Sequence, residues 1–222
     1  MIPLRDDNPS TSRPVVTWLI ILTCVLVFLY MYVLPEPQLG RFIASFGAVP
    51  AAVTGHATEG GLRAYATVVT SMFLHGGWWH LIGNMLYLWI FGDNVEDLMG
   101  HIGYLIFYLL TGIAATVTHI VLNAASTVPL VGASGAISGV LGAYLVLFPR
   151  ARIISVIPVF YFFRVVAVPA IVFLPFWFLI QFYSGLLSIG AESPGVAFWA
   201  HVGGFAAGVV LVRVFARRGR VR

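Results

Sequence analysis

Four polar side chains, His80, Asn84, Ser134 and His201, lie in stretches that are otherwise apolar enough to be inside a lipid bilayer. A serine hydroxyl becomes a nucleophile when a neighbouring base takes its proton, and the ordinary pKa of histidine suits it to that task. Acyl transfer also needs donors for a tetrahedral oxyanion, which an amide, an imidazole or a free backbone N–H can supply. The residue types therefore predict a Ser134–His201 dyad, with Asn84, His80 and the Ser134 N–H as candidate oxyanion donors.

The spacing of small residues predicts how these side chains meet. His80 and Asn84 are four residues apart, so they share one face of a helix. Two stripes of glycine have the three- and four-residue spacing of a helix face, and they consist of Gly132, Gly135, Gly139 and Gly142 around Ser134, and of Gly204 and Gly208 after His201. Small residues at this spacing let membrane helices approach closely. If the stripes face each other, His201 is carried against Ser134.

The elements that must position these side chains are membrane helices. The 222 residues are 60% hydrophobic and only 9% charged, which is far outside the range of soluble globular proteins. All 12 basic residues are arginine. They lie between and beyond the apolar runs and form no patch with interleaved aromatics, so nucleic-acid binding is not expected. With Cys24 as its single cysteine, the sequence can form no intrachain disulfide and no cysteine-based metal site.

Six apolar runs are long enough, or nearly so, to cross a hydrocarbon core of roughly 30 Å as helices. They lie at about 15–34, 78–95, 102–122, 133–148, 166–187 and 197–215. The prediction is an all-α polytopic membrane protein with six transmembrane helices. One membrane domain covers residues 1–222, with its core at about 15–215 and polar cytoplasmic tails at 1–14 and 216–222. The connection 35–77 is too apolar for a disordered linker, so we expect it to be partly buried in the membrane interface.

The arginines predict the orientation of the helices. All but Arg41 and Arg63 fall on the side that carries both termini, and the positive-inside rule makes that side cytoplasmic. The second, fourth and sixth helices then run from outside to inside, so the four polar side chains lie at similar depth in the outer third of the membrane. Asp93 and Glu96 are at the opposite end, which is why a dyad is predicted and not a triad.

The fourth predicted helix is short. It has about 16 residues before Phe148-Pro149-Arg150, or roughly 24 Å, which is less than the ~30 Å core. Its outer end is therefore expected to be recessed, and irregular backbone at that depth is tolerated only around a protein-lined or water-filled cavity. A recessed Ser134 with access to water is what hydrolysis inside a membrane requires.

With these motifs the chain resembles the rhomboid intramembrane serine proteases, particularly the compact six-helix bacterial type. The resemblance runs from about Val68 to Gly208, through TSMFLHGGWWHLIGNM, FGDNVED, GASGAISG and AHVGGFAAG in the family's order. Any one of these motifs alone would be weak. Together, at these helix positions, they are highly specific.

The resemblance implies a bundle of rhomboid type in which Ser134 is the nucleophile, His201 is the general base, and His80 and Asn84 are oxyanion donors. Gly132 would let the recessed loop approach the site. The implied activity is endopeptidase cleavage of single-span transmembrane proteins near the outer membrane leaflet, with no metal or cofactor. The implied location is the bacterial inner membrane, with both termini cytoplasmic and the active site open to the outer side.

His75 matches a family histidine whose role is structural. At two other positions the chain differs from the family's pattern. Many members carry a Trp-Arg pair in the first loop, where this chain has Ala66-Thr67, and some have an aromatic residue one turn after the serine, where this chain has Ser138. Both differences leave the four proposed site residues in place, but the second removes a ring that could stack against His201.

Other classes of membrane protein fit the sequence less well. A metal-dependent intramembrane protease would carry His-Glu-x-x-His on a helix, and the sequence has no such motif. An aspartyl protease would need two facing aspartates in the membrane, and a transporter would show two related halves; the sequence shows neither. The most serious rival is a non-catalytic rhomboid-like protein that binds transmembrane helices. Such a protein is expected to have lost Ser134 or His201, and this chain has both.

Two elements are candidate gates for the substrate. One is the fifth predicted helix, which Pro169, Pro175 and Gly185 make breakable, and the other is the long loop 35–77. His119, late in the third predicted helix, has no assigned role, and neither the physiological substrate nor the oligomeric state is predicted.

Overall fold

The fold is known from a computed structural model that describes residues 1–56, 61–159, 162–187 and 197–216. The described part of the chain is mostly helical, as predicted. Its elements in chain order are β1 (Ile2–Asp6), α1 (Val15–Val33), α2 (Glu36–Phe46), α3 (Pro50–Val53), α4 (Leu62–Thr70), a 3₁₀ turn (Ser71–Phe73), α5 (Trp78–Met99), α6 (His101–Leu122), α7 (Ser134–Leu147), β2 (Arg152–Val159), β3 (Phe162–Pro169), α8 (Ala170–Leu187) and α9 (Phe198–Phe215).

The long helices follow the apolar runs of the sequence. The largest differences from the predicted bounds are at the end of α5, residue 99 against 95, and at the start of α8, residue 170 against 166. Among the described residues, α1, α6, α8 and α9 are long and apolar enough to cross a membrane, and α7 is a shorter apolar helix. α5 has 22 residues but carries Asp93, Glu96 and Asp97 near its end.

α7 is the central helix of the bundle. Every residue from Gly135 to Tyr144 is buried, and α5, α6 and α9 all pack against it. Its 14 residues make a helix of about 21 Å, which is too short to cross a ~30 Å hydrocarbon core. The short fourth helix that the sequence predicted is therefore present, and it begins at Ser134.

α9 meets α7 through bare backbone. A Cβ built at Gly204 would collide with the carbonyl oxygen of Gly135, and a Cβ built at Gly208 would collide with the carbonyl oxygen of Gly139. A methyl group at either position would have to displace main chain. The two glycine stripes thus face each other across the α7–α9 contact.

The all-α prediction is wrong in one respect, because the end of the bundle opposite Ser134 carries a small sheet. Its three antiparallel strands are in the order β1-β2-β3. Ile2 lies opposite Val156 and Arg152 lies opposite Pro169. The amino-terminal segment, predicted to be a polar cytoplasmic tail, therefore contributes an edge strand to this sheet.

The physical reason for this error lies in the composition of residues 152–169. The segment is rich in Val, Ile and Phe, which favour strands, but such a run next to an apolar helix is hard to separate from that helix by pattern alone. β2 buries Ile153 and Ser155. Residues 166–169, predicted as the start of the fifth helix, belong to β3. Of the predicted carboxy-terminal tail, residues 217–222 lie outside the described residues.

A buried carboxylate joins α1 to α5 at this end of the bundle. Glu96 is fully buried and accepts hydrogen bonds from the backbone N–H groups of Val16 and Thr17, each at 2.8 Å, and from the Thr17 hydroxyl at 2.8 Å. His101 Nδ1 lies 2.6 Å from the same carboxylate. Glu96 thereby satisfies N–H groups in the first turn of α1 that have no intrahelical acceptor.

Asp6 of β1 connects the sheet to the central helix. Its carboxylate accepts hydrogen bonds from the Tyr144 hydroxyl of α7 and, at 3.0 Å, from Asn94 Nδ2 of α5. The pKa of Asp6 is raised from 3.8 to about 6, chiefly by burial, with the Tyr144 hydrogen bond lowering it and the nearby charges of Asp93 and Asp7 adding to the rise. The acid form of Asp6 is therefore favoured by folding.

The long loop between α1 and α5 has an ordered structure that holds the segment before Ser134. Ala48 exchanges two backbone hydrogen bonds with Leu130, at 3.0 and 2.8 Å. The Gly132 N–H donates to the carbonyl oxygen of Ser71 at 2.9 Å. These bonds fix the irregular backbone that leads into α7.

Candidate active site

Ser134 and His201 are in direct contact. Ser134 is the first residue of α7 and His201 lies in the first turn of α9. The contact of Gly204 with Gly135 brings these two helix starts together, and Ser134 Oγ lies 2.7 Å from His201 Nε2. His201 is 7% exposed. A serine hydroxyl in hydrogen-bonding contact with a buried imidazole is the arrangement that activates a serine as a nucleophile.

The other nitrogen of the same ring contacts α8. Gln181 Oε1 lies 2.8 Å from His201 Nδ1, and because an amide oxygen only accepts hydrogen bonds, Nδ1 is the donor. Nε2 is then the unprotonated nitrogen of the neutral ring, and it faces Ser134 Oγ. Gln181 was not among the residues selected from the sequence, although a polar amide within the apolar run of the fifth helix was a signal that could have identified it.

A ring also packs against His201, from a position that was not anticipated. Trp177 of α8 has its ring centroid 5.9 Å from that of His201, with the ring planes tilted by 34°. Ser138, where some relatives carry an aromatic residue, instead donates a hydrogen bond to the Ser134 carbonyl oxygen at 2.6 Å. Besides Phe198 of α9 itself, whose ring centroid lies 6.5 Å from that of His201, the aromatic contact with His201 therefore comes from a neighbouring helix.

His80 lies against Gly132, two residues before the serine. The backbone N–H of Gly76 donates a long hydrogen bond of 3.4 Å to His80 Nδ1, so in the neutral ring the proton is on Nε2. A Cβ built at Gly132 would lie 2.7 Å from this Nε2 and 3.7 Å from Ser134 Oγ. Gly132 has φ +130°, a conformation that favours glycine. The bare Cα of Gly132 thus leaves room for an N–H donor beside the serine.

Asn84 and the start of α7 offer two further donors. Asn84 is one turn after His80 on α5 and is 8% exposed. Its Nδ2 is buried and has no hydrogen-bond partner among the described residues. The Ser134 N–H is in the first turn of α7, where a backbone N–H has no intrahelical acceptor. Donors left unpaired at a buried site are what an oxyanion requires.

Two other histidines border this cluster. His75 is 1% exposed and packs edge-on against His80, with ring centroids 5.2 Å apart, which is consistent with the structural role that the resemblance implies. His119 of α6 is partly buried, and its Nδ1 has no hydrogen-bond partner among the described residues. In the described ranges, no group of three or more His, Cys, Asp or Glu side chains could hold a metal ion.

The structure thus brings together the residues that the sequence selected and adds two from α8. Ser134 contacts His201, His80 lies against Gly132, and Asn84 follows His80 on α5. The additions are Gln181 and Trp177, four residues apart and therefore on one face of α8. Their contact with His201 depends on how α8 is rotated against α9. The residue pattern of a single helix does not reveal this rotation.

Comparisons with known proteins agree with the motifs. A family model described as the Rhomboid domain matches residues 62–218. The mitochondrial rhomboid protein 1 of Saccharomyces cerevisiae is 36% identical over 92 residues, which cover 40% of this chain and 27% of the relative. Rhomboid protease GluP of Bacillus subtilis is 32% identical over 139 residues, covering 61% of this chain and 25% of that protein.

A further relative matches over more of its own length. The putative rhomboid protease YdcA of Bacillus subtilis is 29% identical over 145 residues, covering 64% of this chain and 68% of the relative. By contrast, the chain spans only about a quarter of the length of the yeast protein and of GluP. The matched family model covers more than half of the chain, including every residue of the cluster around Ser134.

Proposed function

The chain belongs to the rhomboid family, and from this premise we propose that it is an intramembrane serine endopeptidase. Family membership and the apolar helices make it an integral membrane protein. The observation that carries the proposed activity is the 2.7 Å contact of Ser134 Oγ with His201 Nε2. In the proposed topology, α1, α5, α6, α7, α8 and α9 are the six membrane helices.

Acylation begins at the serine. Ser134 Oγ attacks the carbonyl carbon of the scissile peptide bond, and the hydroxyl proton passes to His201 Nε2. The tetrahedral intermediate collapses when the C–N bond breaks, and the imidazolium gives its proton to the leaving amine. The result is an acyl ester on Ser134 and a released fragment with a new amino terminus.

The oxyanion of the intermediate is stabilised by donors around the serine. His80 Nε2–H, Asn84 Nδ2 and the Ser134 N–H are held by three separate features: the Gly76 hydrogen bond, the buried face of α5 and the start of α7. Donors that are in place before the reaction need no reorganisation when negative charge develops. His75 supports this arrangement by packing against His80.

Deacylation requires water at the ester. His201 takes a proton from the water, the resulting hydroxide attacks the acyl carbon, and the proton is returned to Ser134 Oγ as the carboxylate product leaves. The shortness of α7 supports a recessed site, and the backbone before Ser134 is held by Ala48 and Ser71. Irregular backbone at membrane depth is tolerated around such a cavity.

The proposed substrates are single-span transmembrane proteins, which meet the enzyme in the lipid bilayer and are cleaved near the outer leaflet. The site is proposed to open to the outer side of a bacterial inner membrane, with both termini in the cytoplasm, because all arginines except Arg41 and Arg63 lie at the opposite end of the predicted topology. No metal, cofactor or nucleic acid takes part in this mechanism.

The test is cleavage of a fluorescent transmembrane-segment substrate by the purified protein in detergent. Ser134→Ala and His201→Ala should abolish cleavage, whereas Ser45→Ala and His56→Ala, which change the same residue types outside the site, should cleave at the wild-type rate. Equal cleavage by Ser134→Ala, His201→Ala and wild type would reject the mechanism.

A covalent probe separates the enzyme from a non-catalytic relative that binds transmembrane helices. A fluorophosphonate should label the wild-type protein and not Ser134→Ala, because it reacts with an activated serine and needs no peptide substrate. Absence of labelling in a folded wild-type protein that still retains the substrate segment would favour the helix-binding alternative.

A further inference from the structure

α8 holds the ring of His201 by two contacts that lie outside the Ser–His pair. Gln181 Oε1 is 2.8 Å from His201 Nδ1, on the side of the ring away from Ser134. One turn earlier on the same helix, Trp177 packs against the ring at a centroid distance of 5.9 Å. α8 therefore contacts the imidazole both at its Nδ1 edge and on its ring face.

Gln181 is unusual for its surroundings. α8 reads AIVFLPFWFLIQFYSGLL, and a side-chain amide in an apolar span is unfavourable unless it finds a hydrogen-bond partner on another helix. The partner here is the one imidazole in contact with Ser134. A polar residue kept in a membrane helix for that single contact points to a role in the reaction.

We infer that Gln181 is a positioning residue that selects the reactive tautomer of His201. Its amide oxygen can only accept a hydrogen bond, so the ring proton stays on Nδ1 and the lone pair of Nε2 faces Ser134 Oγ. The inference rests on the proposed function, because the tautomer matters to the rate only if His201 is the base. A neutral amide adds no charge to stabilise the imidazolium, so Gln181 acts on tautomer and orientation alone.

The same contact links the chemistry to the position of α8. α9 is fixed to α7 by glycine against backbone, whereas α8 packs on α9 through large rings, such as Phe178 on Phe205 at a centroid distance of 4.8 Å. Pro175 lies inside α8 and weakens the helix there. Movement of α8 away from α9 would separate Gln181 from His201 while the serine contact remained.

The first test removes the acceptor while keeping the size of the side chain. Gln181→Met should lower kcat by about 10- to 100-fold, as expected when a buried donor loses its acceptor, and should slow fluorophosphonate labelling by a similar factor. KM should stay at the wild-type value. Leu179→Met places the same side chain at a lipid-facing position of α8 that is 60% exposed, and it should behave as wild type.

The second test restores the acceptor with a charge. Among the described residues, the titratable side chains nearest His201 on the other helices are the imidazoles of His80 (α5) and His119 (α6). Gln181→Glu adds a carboxylate against the ring. It should recover kcat to within about threefold of wild type on the alkaline plateau. Because a nearby negative charge favours the imidazolium, the acid limb of the kcat profile should move to higher pH by about one unit or more.

Each outcome decides between the two proposals. If Ser134→Ala and His201→Ala are inactive while Gln181→Met retains the wild-type kcat and labelling rate, the positioning role is rejected and the protease mechanism stands. If Ser134→Ala cleaves normally, both fail. If Gln181→Met lowers the unfolding midpoint, the Gln181→Glu profile decides: an unshifted acid limb rejects the role, and a shifted limb with recovered kcat supports it.

Discussion

At the end of the bundle that carries Ser134, α7 and α9 meet through glycine backbone, whereas at the opposite end carboxylates join the elements. Gly204 and Gly208 of α9 lie directly on the main chain of α7. At the other end, Glu96 accepts hydrogen bonds from the start of α1, and Asp6 ties β1 to α7 and α5.

This difference shows how the fold keeps polar groups free for chemistry. In the proposed mechanism an interhelical hydrogen bond from Asn84 would occupy a donor that the oxyanion needs, and Asn84 Nδ2 has no partner among the described residues. Close packing of bare backbone needs no polar side chains. The end without catalytic groups can use its polar side chains for structure, and there Glu96 and Asp97 bind the segment around the start of α1.

The largest effect is expected when the glycine contact is broken. Gly208→Ala places a methyl group against the Gly139 carbonyl oxygen, and because main chain must move, we expect a loss of about 3 kcal/mol or more in the free energy of unfolding, together with loss of cleavage. An SDS unfolding titration in detergent measures the first. Gly83→Ala, where a Cβ would meet nothing within 4 Å, is the matched control, and an equally stable Gly208→Ala would contradict the packing argument.

A substitution at the opposite end should lower stability and leave the chemistry at Ser134 unchanged. Glu96→Gln keeps the size of the side chain but weakens the charge-assisted bonds to Val16 and Thr17, so we expect a loss of about 2 kcal/mol in the free energy of unfolding. Fluorophosphonate labelling of the variant should proceed at the wild-type rate below its unfolding midpoint. Glu36→Gln, on an exposed carboxylate of α2, should change neither quantity. Slow labelling of a folded Glu96→Gln protein would mean that the two ends are not independent.

At the catalytic end, a smaller change in stability should accompany a large change in rate. Gly132→Ala forces a side chain into a φ of +130°, at a cost of about 1–2 kcal/mol, and its Cβ would lie 2.7 Å from His80 Nε2. Displacing that donor should lower kcat by about 100-fold, as loss of one oxyanion donor does elsewhere. Gly40→Ala, in open space on α2, is the control. A wild-type kcat for Gly132→Ala would remove His80 from the set of oxyanion donors.

The smallest effect concerns the pH dependence of stability at the sheet. The pKa of Asp6 is raised by folding to about 6. The free energy of unfolding that protonated Asp6 contributes is therefore fully present below about pH 4 and is lost as the pH rises through about 6. Asp6→Asn should remove that dependence and leave the variant more stable than wild type at pH 8 by less than about 1 kcal/mol, since partial exposure screens the charge. Unfolding midpoints measured from pH 4 to 8 test this, and parallel curves for both proteins would contradict it.

The sequence predicted the catalytic end better than the opposite end. The glycine spacing that predicted the α7–α9 contact is a local pattern, and close helix approach leaves few alternative arrangements, so Ser134 and His201 could be paired from residue spacing alone. The roles of His80 and Asn84 in catalysis remain predictions; His80 lies against Gly132, two residues before the serine.

The features that sequence reasoning missed depend on contacts between distant segments. Gln181 and Trp177 lie on an apolar helix with no glycine stripe, so nothing in α8 alone indicates which face meets His201. β1 and β2 belong to segments that read as a tail and a loop, because a strand is defined by its partner and not by its own residues. Glu96 could be identified as important in a membrane helix, but not as the group that caps α1.

The pairing of β1 with β2 has a consequence for how the protein is made. Ile2 pairs with Val156, and a chain grows from its amino terminus, so β1 is synthesised long before its partner and must wait until α7 has been inserted. β1 therefore has no strand partner while α1 to α7 are being made. An amino-terminal truncation that removes β1 would leave the β2 edge unpaired, and an unpaired edge invites pairing with another chain.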